Sequence, residues 1–150
     1  MRHFIERKQR DTRYADIDEI ARGQLAWEDA GRAAQPALLI LDTHLLSNLL
    51  WSRKLFGDCP EWLEDQLLGR DYHLHLLLDP VGVPWVDDGQ RCQPQLEQRL
   101  AFYRDCEHWL RQHQQPLQCI QGNWEQRREQ ALHHVGKWLG PVGQPTGPGN

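Results

Sequence analysis

Strands alternating with helices predict an α/β fold with a parallel sheet. Two apolar runs and the polar segments behind them carry the prediction. Ala37-Leu38-Leu39-Ile40-Leu41 ends in Asp42-Thr43, and the run Leu74 to Leu78 leads into Pro84-Trp85-Val86-Asp87-Asp88-Gly89-Gln90-Arg91. Helical periodicity flanks both runs, so the expected order is α, β, α, β, α, β, α.

The basic and polar residues 1–15 show no assignable period. A first helix is expected from Asp16, which can cap while Glu19, three residues on, completes a capping box. Ile17, Ile20, Ala21 and Leu25 recur at helical spacing, and Gly31 offers a stop. The run at about 37–42 then reads as a strand, and its unbroken apolar character implies burial on both faces.

Pro60 opens a short helix to Gly69, with Trp62, Leu63 and Leu67 on one side. A second strand is expected over about 72–79. Pro94 opens a long helix to about 113, with Leu96, Leu100, Tyr103 and Leu110 in one stripe and Phe102, Cys106 and Trp109 widening it. The alternation in Leu117-Gln118-Cys119-Ile120-Gln121 suits an edge strand. Asn123 and Gln126 can box a last helix to about Leu139. Residues 140–150, rich in Gly and Pro, predict a disordered tail. In a parallel α/β sheet, ligands lie outside the carboxyl ends of the strands. Asp42-Thr43, Asp79 to Arg91 and Gly122-Asn123 all fall there.

Composition narrows the function classes. A length of 150 residues suits one domain of at most 1–139 plus the tail. A net charge of −4 gives no general attraction for nucleic acid or an anionic membrane. No apolar segment approaches the ~20 residues of a membrane span. The apolar stretch after Met1 is too short for a signal peptide, which points to the cytoplasm. Cys59, Cys92, Cys106 and Cys119 are widely spaced with no C-x-x-C, so reduced, partly buried thiols are expected. The seven tryptophans suit a core or the stacking of a flat ligand.

His73 and His75 share a strand face, but no third metal ligand accompanies them. His133 and His134 read as helix-surface residues. No Gly-x-x-x-x-Gly-Lys-Ser/Thr occurs in the sequence.

One ordered set of residues resembles a known family. It comprises Ile20-Ala21-Arg22-Gly23-Gln24, Leu41-Asp42-Thr43, Trp51, Phe56-Gly57, the strand ending near Asp79, Pro84 to Arg91, and Ile120-Gln121-Gly122 followed by Arg127. Together these resemble the P-loop AAA-type ATPase/kinase family typified by the nicotinamide riboside kinase domain, over about residues 14–136. The resemblance implies a parallel sheet of order 2-3-1-4-5, in which the three strands here are the third, fourth and fifth. The first strand, the P-loop and most of the second strand would precede Met1. Without that central strand two buried edges lack partners, each unpaired backbone group costing roughly 1–3 kcal/mol. An upstream start, a degraded copy, or a substitute strand from Met1 to Tyr14 or from a partner would answer this.

The resemblance also implies roles. Asp42 would be the Walker-B-like acid on Mg²⁺, and Arg91 a lid arginine on the phosphates of ATP. Asp88, Gly122, Asn123 and Arg127 would adjoin the nucleotide. Trp51, Phe56 and Trp85 would line a pocket for a nucleoside-like small molecule, where a cationic pyridinium gains a cation–π contribution of roughly 0.5–2 kcal/mol. Plainer readings stay open: Asp42 as a helix cap, Asp87-Asp88-Gly89 as a solvated turn, Trp51 in the core, and Asn123 as a cap only. The implied activity is ATP-dependent phosphoryl transfer, with the 150 residues inactive alone for want of the P-loop amides and lysine. The alternative is a non-catalytic nucleotide- or nucleoside-binding regulatory remnant.

Overall fold

The computed structural model describes residues 12–84, 86 and 95–139. They form five helices and two strands: α1 (Asp16–Ala33), α2 (Leu45–Phe56), α3 (Glu61–Leu68), β1 (His75–Leu78), α4 (Leu96–Gln112), β2 (Leu117–Ile120) and α5 (Trp124–Leu139).

β1 and β2 pair in parallel, with His75 opposite Leu117 and Leu78 opposite Ile120. The connection between them runs through α4, as parallel pairing of neighbouring strands requires. His75 and Asp79 donate their amides to the carbonyls of Pro116 and Ile120, so the pairing reaches one residue before β2 and one residue past β1. The mixed α/β character expected from the sequence is present, built on a two-stranded sheet.

The segment 37–42 forms no strand. Leu38, Leu39 and Ile40 are 41%, 37% and 75% exposed, so the expected burial on both faces is corrected. The physical reason is pairing: a strand needs a neighbour for its amides and carbonyls. Among the described residues, β2 is the strand that pairs with β1, and none pairs with 37–42. Leu39 packs instead over Gly31, its Cδ1 within 3.0 Å of where a β-carbon would stand.

α2 was not among the expected elements. Leu45, Leu46 and Leu49 recur at helical spacing and are buried, with Asn48 and Ser52 buried beside them. The helix ends on Gly57, whose φ of 73° lies in the left-handed region where a side chain costs energy. The Ser52 hydroxyl donates to the Asp58 carbonyl at 2.7 Å, bending the chain towards α3.

The core joins Ile17 and Ala21 of α1, Leu45, Leu46 and Leu49 of α2, Leu63 and Leu67 of α3, and Cys106, Trp109 and Leu110 of α4. Leu77 and Leu117 bring one sheet face onto this cluster. Two tryptophans tie helices together through their indole N–H groups. Trp62 donates to Asp18 at 2.7 Å and Trp109 to Glu64 at 2.9 Å.

Other boundaries shift modestly. α1 begins at Asp16, but its N-cap is Ala15, and Asp16 accepts the Arg13 amide at 2.8 Å. It runs past Gly31 to Ala33. The second expected strand shortens to four residues. Cys59, Cys106 and Cys119 are free thiols. No helix among the described residues is long and apolar enough to cross a membrane. Pro94, Cys92 and the tail 140–150 lie outside the described residues.

Candidate functional site

The carboxyl ends of β1 and β2 lead into two turns, one from Asp79 and one through Gly122 and Asn123. Asn123 and Gln126 form the expected capping box: the Gln126 amide donates to Asn123 Oδ1 and the Asn123 amide to Gln126 Oε1, both at 2.9 Å. Gly122 has φ 96°, and a β-carbon there would collide with Gln126 Oε1. Glycine is required at this turn.

Arg127, one turn into α5, is 5% exposed. Its Nε donates to the Gly122 carbonyl at 2.5 Å, Nη1 to the Asp79 carbonyl at 2.7 Å, and Nη2 to the Val81 carbonyl at 2.9 Å. Every nitrogen of the guanidinium thus reaches backbone. Asp79 Oδ1 accepts the Val81 amide at 2.8 Å, closing the turn it begins.

Asp42 lies elsewhere. It is exposed, and Thr43 after it takes φ 64°, a strained value for a β-branched residue. His44 then caps α2 in an extended conformation, and its Nε2 meets His75 Nε2 at 2.9 Å. His75 opens β1, so the Asp42 turn adjoins the amino end of the strand whose carboxyl end Arg127 holds. The four steps along the chain from His75 to Asp79 separate these ends by about 13 Å, at roughly 3.3 Å per step. The structure brings Gly122, Asn123 and Arg127 together and leaves Asp42 apart from them.

Trp51 stacks on Phe102 of α4, with ring centroids 4.5 Å apart at 24°, and the Lys54 ammonium lies 5.9 Å from the Trp51 ring. Phe56 meets Tyr14 edge-on at 5.8 Å and packs against the core. Five residues apart, Trp51 and Phe56 point about 140° apart around a helix of about 3.6 residues per turn. Their side chains therefore leave different sides of α2. Trp85, Asp88 and Arg91 lie outside the described residues.

A buried polar cluster had no counterpart in the expectations from sequence. The Glu28 carboxylate, 2% exposed, accepts from Arg32 Nε at 2.8 Å, Arg70 Nη1 at 2.9 Å and the Tyr72 hydroxyl at 3.0 Å. Burial and then the Glu28 charge push the Tyr72 hydroxyl pKa up. The spacing of Glu28 and Arg32 was the one available signal. Arg32 and Arg70 also border an open depression of about 350 Å³ with Gln66, Gly69 and Asp71, none of them from the turns that leave β1 and β2. Both arginines already serve Glu28, and Arg70 also pairs with Asp29 at 2.5 Å.

A nucleotide triphosphate with Mg²⁺ asks for a carboxylate and a cradle of phosphate donors. Asp42 offers an exposed carboxylate, and no group of three or more metal-ligating side chains occurs among the described residues. The Arg127 guanidinium is spent on carbonyls, and the sequence has no P-loop motif. The described residues therefore fit a metal contact but not the triphosphate as a whole.

A family model described as an AAA domain matches residues 1–127. No curated protein and no solved structure matches the chain.

Proposed function

The chain belongs to the AAA domain family, of P-loop type, and from that premise we propose that it works as a nucleotide-dependent phosphotransferase of the nicotinamide-riboside-kinase kind. The family match over residues 1–127 supports the nucleotide-binding part of this reading, and the ordered residues from Ile20 to Arg127 support the choice of acceptor. ATP with Mg²⁺ is the proposed cofactor, and a nucleoside-like hydroxyl the proposed acceptor. Transfer is proposed only where a P-loop completes the site, because its amides and lysine provide most of the triphosphate binding. In this reading Asp42 serves the metal, Arg91 the phosphates, and Trp85 the acceptor, and the turns at Asp79 and Gly122-Asn123, about 13 Å from the Asp42 turn, border the far end of the nucleotide.

A second reading rests on the engaged Arg127 and the missing P-loop motif: a non-catalytic unit that binds nucleoside or nucleotide and regulates. One experiment separates the two. Protein isolated from its host is incubated with MgATP and nicotinamide riboside, and the products are analysed by mass spectrometry beside calorimetric binding of each ligand. A phosphorylated nucleoside that disappears with Asp42→Asn supports the phosphotransferase. Binding of either ligand without product favours the regulatory unit. Binding of neither sinks both.

A further inference from the structure

Arg127 joins two turns that no strand pairing holds. The carbonyls of Asp79 and Val81 belong to the segment leaving β1, and that of Gly122 to the turn leaving β2. Past the last ladder bond these carbonyls are left to water or to a side chain, and the buried Arg127 guanidinium meets all three. A guanidinium suits three separate acceptors, because its N–H groups fan out in a rigid plane, whereas an ammonium is a single point. The geometry behind Arg127 is equally fixed. Gly122 permits the left-handed turn, and the Asn123–Gln126 box sets the first turn of α5 from which Arg127 projects.

We propose that Arg127 is a positioning residue that binds no nucleotide itself: it fixes the Asp79–Val81 turn, and with it the Asp79 carboxylate, against the Gly122–Asn123 turn. The proposal rests on the reading above that these strand ends face the nucleotide. Arg127 then sets the spacing of two walls of that site without touching its occupant.

Amide hydrogen exchange on the full chain tests this without nucleotide. Arg127→Lys should speed exchange in residues 79–83 at least tenfold, while α2 and α3 exchange as in the unsubstituted chain. Unchanged exchange in 79–83 overturns the proposal. An equal acceleration through α2 and α3 overturns it too, by making Arg127 a general contributor to stability. A weaker MgATP affinity in Arg127→Lys with unaltered exchange at 79–83 would make Arg127 a ligand and likewise end the proposal. If the variant does not fold, the unsubstituted chain decides: the Arg127 Nε–H should give a slowly exchanging proton–nitrogen resonance at pH 7, and its absence refutes the anchor. A chain that binds no MgATP fails the functional reading in the binding assay, whereas a failed anchor shows in the exchange.

Discussion

At the scale of single residues, the His44–His75 contact dictates a response to acid. His75 Nδ1 lies 3.1 Å from the Pro116 carbonyl, which can only accept, so that nitrogen carries the proton. His75 Nε2 is then a lone pair, and His44 Nε2–H donates to it across 2.9 Å. Burial first, and then the neighbouring His75, lower the His44 pKa to about 4, and burial lowers that of His75. Glu28 opposes the shift of His44. Between the ordinary value of 6.5 and about 4, the unfolded chain binds more protons than the folded one, so stability falls as the pH drops through this window. For His44 alone the loss between pH 7.5 and 5 is about 2 kcal/mol. Asp18 and Glu64, whose pKa values are lowered chiefly by Arg22 and Arg53 respectively, act in the same direction at lower pH. Urea midpoints at pH 7.5 and 5 should therefore differ, and His44→Phe should flatten most of the difference. A midpoint unmoved by pH in the unsubstituted chain would contradict the half-buried neutral pair.

At the scale of elements, the sequence and the structure part over residues 37–56. The run 37–41 has strand composition but no partner among the described residues, whereas α2 was hidden because its start carries none of the usual marks. Its cap is His44, without a side-chain bond, and its first turn holds no acid. Where local chemistry and tertiary contact agree, sequence and structure coincide: the Asn123–Gln126 box is visible as a spacing of three and forms as expected. The Arg127 anchor was not legible, because its acceptors at Asp79 and Val81 are carbonyls 48 and 46 residues away, and carbonyls leave no mark in a sequence. Asp42 closes a turn rather than a strand for the same reason that 37–41 forms no strand. Two substitutions separate the alternatives. Ile40→Ser, at a site 75% exposed, should cost about 0.5 kcal/mol or less, and Leu49→Ala, at a fully buried one, about 2–5 kcal/mol. Chemical denaturation measures both, and a loss above about 2 kcal/mol at Ile40 would restore a buried strand there.

At the scale of the whole molecule, stability is unevenly distributed. The core is made by α1, α2, α3 and α4, with one face of the sheet laid against it. A two-stranded sheet is marginal by itself and depends on such support. α5 lies outside this cluster. Its one buried residue is Arg127, while Trp124, Leu132, Trp138 and Leu139 are 70%, 58%, 60% and 43% exposed. Little apolar area then opposes the detachment of α5, and local opening draws on regions of this kind. Brief proteolysis of the native chain with chymotrypsin should cut within α5 before any site in α1 to α4, counting cuts between residues 12 and 139. Fragments ending in α2 at the earliest times would show instead that the molecule opens only as a whole. The outcome bears on the anchor, since the helix that carries Arg127 is the one least secured by apolar contact. Its hold on the strand ends then runs both ways: the three carbonyls keep α5 in place, and α5 keeps the two turns in register.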